Sequence, residues 1–181
     1  MDEETYVAAL YQSIGRFVIA FQQLENTYRE IGWYVLDPER KNWPPMELRR
    51  ETNSELIDKV TELLEGLIRA GTFANGESWL PKIRYLRENF HELRKYRNKL
   101  LHSGFIPIAT KDEVFAFYTA DAKLTIDPDT GQMTNGLGQV TAKQVDDKIV
   151  EYGQPIIQLY FLKAQVIHWL PHIAAVRRGA S

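Results

Sequence analysis

The chain has 181 residues, of which 22 are lysine or arginine and 24 are aspartate or glutamate, so its formal net charge is -2. This length suits a single domain over residues 1–181 with a sizeable core, and the balanced charge excludes a surface that is basic throughout. Any nucleic-acid contact must therefore come from a local basic patch. The absence of cysteine excludes disulfides, thiol catalysis and cysteine-ligated zinc, and it suits a reducing cytoplasm.

The sequence carries no signal for a membrane. Its acidic start, MDEETY, lacks the positive and apolar regions of a signal peptide. No apolar run approaches the roughly 18–20 residues that span a bilayer. We therefore expect a cytoplasmic protein with no membrane partner.

The first half of the chain predicts two helices. Apolar residues recur at helical spacing over 4–36, and the Asp-Pro pair that follows ends this helix. A second helix is predicted over 46–70. If its first turns are irregular, Asn53 or Ser54 could cap a restart of the helix.

A third helix carries the most informative stretch of the sequence. Gly71 is the predicted C-cap of the second helix, and Asn75-Gly76 predicts a turn. The third helix then starts near Leu80, with Pro81 in its first turn, and runs to about residue 104.

The pattern changes after this helix. Residues 105–140 are β-rich and contain turn signals, which predicts a small hairpin or an appendage of two to three strands. Thr141 can cap a last helix, and Gly153 and Pro155 predict a kink or break within it. Its apolar face is predicted to comprise Val145, Ile149, Tyr152, Ile156, Leu159, Val166, Ile167 and Leu170. The sum predicts an all-α fold, a bundle of four to five helices with a small β-hairpin insertion before the last helix.

One arginine lies inside the apolar stripe of the third helix. At about 100° per residue, one face of this helix collects Ile83, Leu86, Phe90, Leu93, Leu100 and Leu101. Arg97 falls at the centre of that face. A guanidinium cannot lose its charge, so burying it without a partner is unfavourable.

A charge of opposite sign lies inside the stripe of the first helix. Glu25 falls between Phe21 and Tyr28, with Gln22 beside it. The economical hypothesis is that Glu25 and Arg97 meet, because a carboxylate is the best partner for a buried guanidinium. Such a pair could equally be a structural salt bridge that fixes helix register, and the sequence leaves both interpretations open.

A histidine, His102, lies near Arg97 on the same helix. Arg97, Asn98 and His102 span an arc of about 140° on the third helix. His91 and Arg94 lie on the same side, which makes a local cationic cluster on an acidic chain. A histidine near a helix end can instead be a capping or helix-dipole residue.

The segment from Arg97 to His102, RNKLLH, resembles the RxxxxH motif of the HEPN superfamily (higher eukaryotes and prokaryotes nucleotide-binding). The spacing of four, the polar residue Asn98 after the arginine and the position at the end of a bundle helix all fit that pattern. The helix order and a charged residue on the first helix, here Glu25, are also in keeping with it. In HEPN toxins that are silenced by AMP transfer, a tyrosine follows two residues after the histidine. Gly104 occupies that position here, so AMP modification at this site is not expected.

The resemblance implies a metal-independent endoribonuclease that works as a homodimer, with its two motifs facing each other across a cleft. Arg97 would bind the phosphate and His102 would transfer protons, while Asn98 and Glu25 would support them. Members of the superfamily are often toxins or parts of antiphage and RNA-processing systems, so an antitoxin or defence partner is possible. Other HEPN domains are non-catalytic modules that bind nucleotide or RNA or that dimerise, and this alternative stays open.

A metal site is the other chemistry considered. His168 and His172 have a spacing that can bind a metal, but Pro171 lies between them and no acidic residue accompanies them. The sequence contains no glycine-rich phosphate loop in a strand-loop-helix context. We expect neither a metal nor a cofactor.

Overall fold

A computed structural model describes residues 3–42, 44–109, 114–121, 125–126, 133–134 and 137–179, with the backbone alone between 103 and 139. Helices hold most of these residues, which confirms the all-α class predicted from the sequence. The helices are α1 (Glu3–Leu36), α2 (Asn53–Arg69), α3 (Leu80–His102), α4 (Ala142–Glu151) and α5 (Gly153–Gly179). In the part of the chain that the structure describes, no helix combines the length and the hydropathy that a bilayer crossing requires.

Helix α1 follows the predicted range of 4–36 closely. Four apolar residues that recur at helical spacing are buried: Phe17, Phe21, Leu24 and Tyr28. Gly32 lies on the same helix where it packs close to Leu48 and Val60. A Cβ atom at Gly32 would lie 2.5 Å from a Leu48 methyl carbon and 2.7 Å from one of Val60.

The second predicted helix is shorter than expected at its start. Met46–Leu48 forms a separate 3-10 turn, and α2 begins only at Asn53. Its N-cap is Thr52 rather than Asn53 or Ser54. The Thr52 hydroxyl accepts a bond from the Glu55 backbone N–H, and the Glu55 carboxylate accepts one from the Thr52 N–H, which forms a capping box. The C-cap is Ala70 rather than the predicted Gly71, which follows one position later with a φ of 71°.

Helix α3 ends at His102, two residues before its predicted end, and strand β1 (Ser103–Ala109) follows without a break. β1 pairs antiparallel with β2 (Val114–Asp121), which pairs antiparallel with β5 (Leu137–Val140). Two short strands, β3 (Thr125–Ile126) and β4 (Met133–Thr134), pair with each other. Much of 105–140 lies outside the described residues or is described by its backbone alone, so the insertion predicted there stays a prediction.

The last predicted helix is broken where the sequence indicated. Tyr152 separates α4 from α5, and Pro155 lies in the first turn of α5. Thr141 caps α4, since its hydroxyl accepts a bond from the Gln144 backbone N–H at 3.2 Å. The buried face of α5 differs from the predicted one. It comprises Pro155, Leu159, Leu162, Val166, Trp169 and Ile173.

The chain divides into two compact units, and the single domain predicted over 1–181 stays a prediction. Unit 1 joins residues 1–21 with 95–151, and unit 2 joins residues 22–94 with 152–181. Each unit is described by itself below.

Unit 1 is held together by an aromatic contact and an ion pair. The rings of Phe17 and Tyr96 meet edge to face, with centroids 5.2 Å apart. The Arg16 guanidinium donates to both oxygens of the Asp146 carboxylate, at 2.9 and 3.0 Å, and to the Ser13 hydroxyl at 3.1 Å. These contacts join α1 to α3 and to α4 within the unit.

Unit 2 has an aromatic core. The Tyr28 and Phe90 rings pack edge to face at 4.7 Å, which joins α1 to α3. The Phe73 ring stacks on the Trp169 ring, with centroids 4.1 Å apart. Trp79 meets the same Trp169 ring edge to face, with centroids 6.0 Å apart. Aromatic pairs of this kind add about 0.5–1.5 kcal/mol beyond their buried area.

Candidate functional site

Arg97 is half-buried near the end of α3, as its central place in the apolar stripe predicted. Its Nη1 atom donates a hydrogen bond to the Asn98 side-chain oxygen at 3.0 Å. Its Nε atom is buried and has no hydrogen-bond partner within the described residues, and the same is true of Nε of Arg94 one turn earlier. A buried N–H without a partner costs roughly 1–3 kcal/mol, so the Arg97 side chain is held here against a free-energy penalty.

Asn98 is fixed by its neighbour. Adjacent residues on a helix do not normally face each other, but here the long arginine side chain reaches the amide oxygen of the next residue. This bond engages the oxygen of Asn98 and leaves its amide N–H groups as donors. Asn98 can therefore orient Arg97 and still donate a hydrogen bond.

His102 is the last residue of α3, and its side chain is exposed. Five residues on an α-helix lie about 7.5 Å apart along the axis and about 140° apart around it. A ligand that contacts both Arg97 and His102 must therefore lie across the end of the helix. Leu101, predicted in the buried stripe, is instead 40% exposed beside the histidine. Leu100, in the same turn, stays buried, so only the Leu101 edge of the stripe is exposed there.

Glu25 has a partner on its own helix. Its carboxylate accepts a hydrogen bond from the Arg29 guanidinium at 2.9 Å, and the two side chains are 23% and 16% exposed. Arg29 also donates to the Leu48 backbone carbonyl. These bonds give Glu25 a structural role within unit 2. The predicted pair with Arg97 joins residues of the two units and stays a prediction.

Two residues near the motif carry features that sequence reasoning missed. The Lys148 amine lies 5.8 Å from the centre of the Tyr96 ring, within cation–π range. Burial raises the pKa of the Tyr96 hydroxyl, while Lys148 opposes this shift and Glu151 adds to it. Lys148 comes from α4, fifty residues later in the chain, so no local pattern could have linked it to Tyr96.

His91 also has a partner that the sequence did not indicate. One Asp58 carboxylate oxygen lies 2.9 Å from Nε2 of His91 and 2.7 Å from Nε of Arg87. Burial raises the pKa of Asp58, but the hydrogen bonds from Arg87 and His91 lower it by more, so the net shift is downward. His91 therefore belongs to an α2–α3 ion-pair cluster in unit 2.

This cluster predicts that the effect of replacing Asp58 on the free energy of unfolding depends on pH. Because the folded-state pKa of Asp58 is lowered, its contribution is present above the ordinary value of 3.8 and is lost as the pH falls through the folded value. We expect Asp58→Asn to lower the free energy of unfolding by about 0.5–1 kcal/mol at pH 7, a small value because water screens the pair. Urea unfolding at pH 7 and pH 3 measures it, with the exposed Asp147→Asn as control. A difference that is equally large at pH 3 would contradict the assignment.

A metal site finds no support in the described residues, where no group of three or more histidine, aspartate or glutamate side chains is placed to hold an ion. His168 and His172 are both exposed on α5.

Comparisons with known proteins add no relative. No protein-family model, no curated protein and no solved structure matches the chain.

Proposed function

We propose that the protein is a HEPN-type, metal-independent endoribonuclease that acts as a homodimer in the cytoplasm, with the β-rich stretch 105–140 as an insertion in the bundle. The observation that carries the proposal is the state of Arg97, a half-buried cation bonded to Asn98, five residues before an exposed histidine. Within the described residues its buried Nε has no hydrogen-bond partner. The resemblance of the RNKLLH segment to the RxxxxH motif supplies the reaction.

The chemistry uses the 2′-hydroxyl of the RNA as the nucleophile. One histidine removes the proton from this hydroxyl, whose oxygen attacks the adjacent phosphorus. The 5′-oxygen leaves and takes a proton from a second histidine, which yields a 2′,3′-cyclic phosphate and a free 5′-hydroxyl. Each chain offers one His102, so the second histidine would come from the partner of the homodimer.

Arg97 would supply a fixed positive charge to the phosphate during this step. A guanidinium stays charged at every working pH and binds phosphate oxygens with two parallel N–H groups. The bond from Nη1 to the Asn98 side-chain oxygen limits the rotation of the group. A donor held in place before the reaction stabilises developing charge better than a mobile one.

A cleavage assay in EDTA tests the proposal. We expect the purified protein to cut single-stranded RNA without metal and to leave 2′,3′-cyclic phosphate ends. The same RNA with 2′-deoxy substitutions should stay intact, because it lacks the nucleophile. An intact all-ribose RNA after prolonged incubation, or cleavage of the deoxy-substituted strand at the same rate, would contradict the mechanism.

A non-catalytic HEPN-type module that binds nucleotide or RNA, or that dimerises, is the second candidate. The Nη1 bond from Arg97 to Asn98 favours it, because a guanidinium occupied by its neighbour can be structural. In the same assay this candidate predicts RNA retention on a filter without cleavage. An antitoxin or defence partner would fit either candidate.

A further inference from the structure

Helix α5 has no charged face over most of its length. Between Gly153 and Val176 the only charged side chain is Lys163, and its amine is bonded to the Glu30 carboxylate within unit 2. A helix at a protein surface normally opposes its apolar stripe with a charged one. α5 departs from this rule, so its exposed side needs an explanation.

A second apolar stripe, here called the outer stripe, runs along the exposed side of α5. Its seven residues recur at helical spacing within an arc of about 120°, opposite the buried face. They are Ile157, Tyr160, Phe161, Ala164, Ile167, His168 and Pro171, and all are exposed. Phe161 is 59% and Tyr160 48% exposed. A continuous exposed apolar patch of this kind marks an interaction surface.

The side chains of the outer stripe are smallest at its middle. Ala164 is its smallest residue, and a groove of about 470 Å³ opens beside it. The groove is lined by Trp79, Lys82, Gln158, Phe161, Ala164 and Gln165. Lys82 does not fill it, since its amine lies over the Trp79 ring, 4.4 Å from the centroid. The surface thus combines protruding aromatic rings with a recess.

We propose that the outer stripe docks against the same stripe of a second copy of the chain, with the two α5 helices antiparallel about a two-fold axis at Ala164. An antiparallel pair centred on this residue has a fixed register. Phe161 then lies opposite the partner's Ile167, and Tyr160 lies opposite the partner's His168. Small residues at the crossing allow the helix axes to approach to about 8–10 Å.

Self-complementarity is what favours a second copy over another partner. In a two-fold contact each surface meets itself, so a charged residue near the axis would face its own copy and repel it. The outer stripe carries none. In the register given above, each large apolar residue of one half meets a group of matching polarity, and the tyrosine hydroxyl meets an imidazole that can hydrogen-bond to it.

The size of the stripe sets the expected strength. The fifteen residues from Ile157 to Pro171 cover about 21 Å along the helix axis. One pair of such helices buries less area than an interface of standard size. The dimer should therefore be weak and dependent on concentration. This inference does not rest on the proposed ribonuclease function, because it concerns only unit 2 and holds whether or not RNA is cut.

A single introduced cysteine tests the geometry, because the chain has none of its own. In Ala164→Cys the two introduced thiols would meet at the axis. The two Cα atoms would then lie within the separation of about 4.4–6.8 Å that a disulfide needs. We expect rapid formation of a covalent dimer under mild oxidation, reversed by dithiothreitol. Val150→Cys on α4, where the side chain is 78% exposed, is the control and should cross-link far more slowly. Equal rates for the two variants would overturn the proposal.

Phe161→Glu tests the same surface without a covalent bond. The side chain is exposed, so the variant should keep the circular dichroism spectrum and melting temperature of the wild type. Sedimentation equilibrium should show a monomer–dimer equilibrium for the wild type and a dimer dissociation constant at least about tenfold higher for Phe161→Glu. A wild type that stays monomeric at every concentration, or a variant that dimerises as well as the wild type, would refute the contact.

Discussion

Replacing His102 with alanine is expected to slow metal-free RNA cleavage by about 10²–10⁴-fold, the usual contribution of a positioned acid–base side chain. The imidazole is exposed at the end of α3, so its loss removes no core packing. In a homodimer the substitution removes both histidines at once. Initial rates on an end-labelled RNA in EDTA, measured with equal amounts of folded protein, give the ratio directly.

The control for this experiment is His172→Ala. His172 is also an exposed helical histidine, but it lies on α5 and outside the motif. We expect the His172→Ala protein to cleave RNA at the wild-type rate. A His102→Ala protein that cuts RNA as fast as the wild type would eliminate the proposed mechanism, and the binding module would then be preferred.

Gly32→Ala is expected to destabilise the fold by about 1–3 kcal/mol through overpacking. The new Cβ would lie 2.5 Å from a Leu48 carbon and 2.7 Å from a Val60 carbon, well inside contact distance. Both neighbours are fully buried, so neither can move away freely. The better helix propensity of alanine, about 1 kcal/mol, offsets only part of this strain. Thermal unfolding by circular dichroism should show a fall of about 2–4 °C for each kcal/mol.

The matched control lies on the same helix. A Cβ at Gly15 would meet no atom within 4 Å, so Gly15→Ala should stabilise α1 by about 0.5–1 kcal/mol. The two substitutions are chemically identical and should have opposite signs. If Gly32→Ala raised the melting temperature as much as Gly15→Ala, the close approach at Gly32 would be disproved.

Helix positions with strong local signals could be predicted from the sequence. The range of α1 followed from apolar spacing, and the break near Gly153 followed from the glycine and proline there. The start of α2 was missed although a signal existed, because Thr52 and Glu55 have the spacing of a capping box. The buried face of α5 could not be chosen by periodicity, since both of its sides are apolar. Ile167, assigned to the core, is 44% exposed.

The candidate site divides in the same way. The half-buried state of Arg97 follows from its place on the wheel, because the residues around it are apolar. The partners of Glu25 and His91 do not follow. His91 meets Asp58 across 33 residues of sequence, and such contacts depend on how helices pack. The prediction that Leu101 is buried was wrong for a related reason. A helical wheel assumes that neighbouring elements cover the helix along its whole length, and α3 ends one residue after Leu101.

The division of the chain into two units also separates its tryptophans from its motif. Trp33, Trp43, Trp79 and Trp169 all fall within the residue ranges of unit 2, while Arg97 and His102 belong to unit 1. Intrinsic tryptophan emission will therefore follow the unfolding of unit 2. Unit 1, which carries the motif, contains no tryptophan whose emission could report its unfolding. Circular dichroism follows both units, so agreement or disagreement between the two signals reports directly on whether they unfold together.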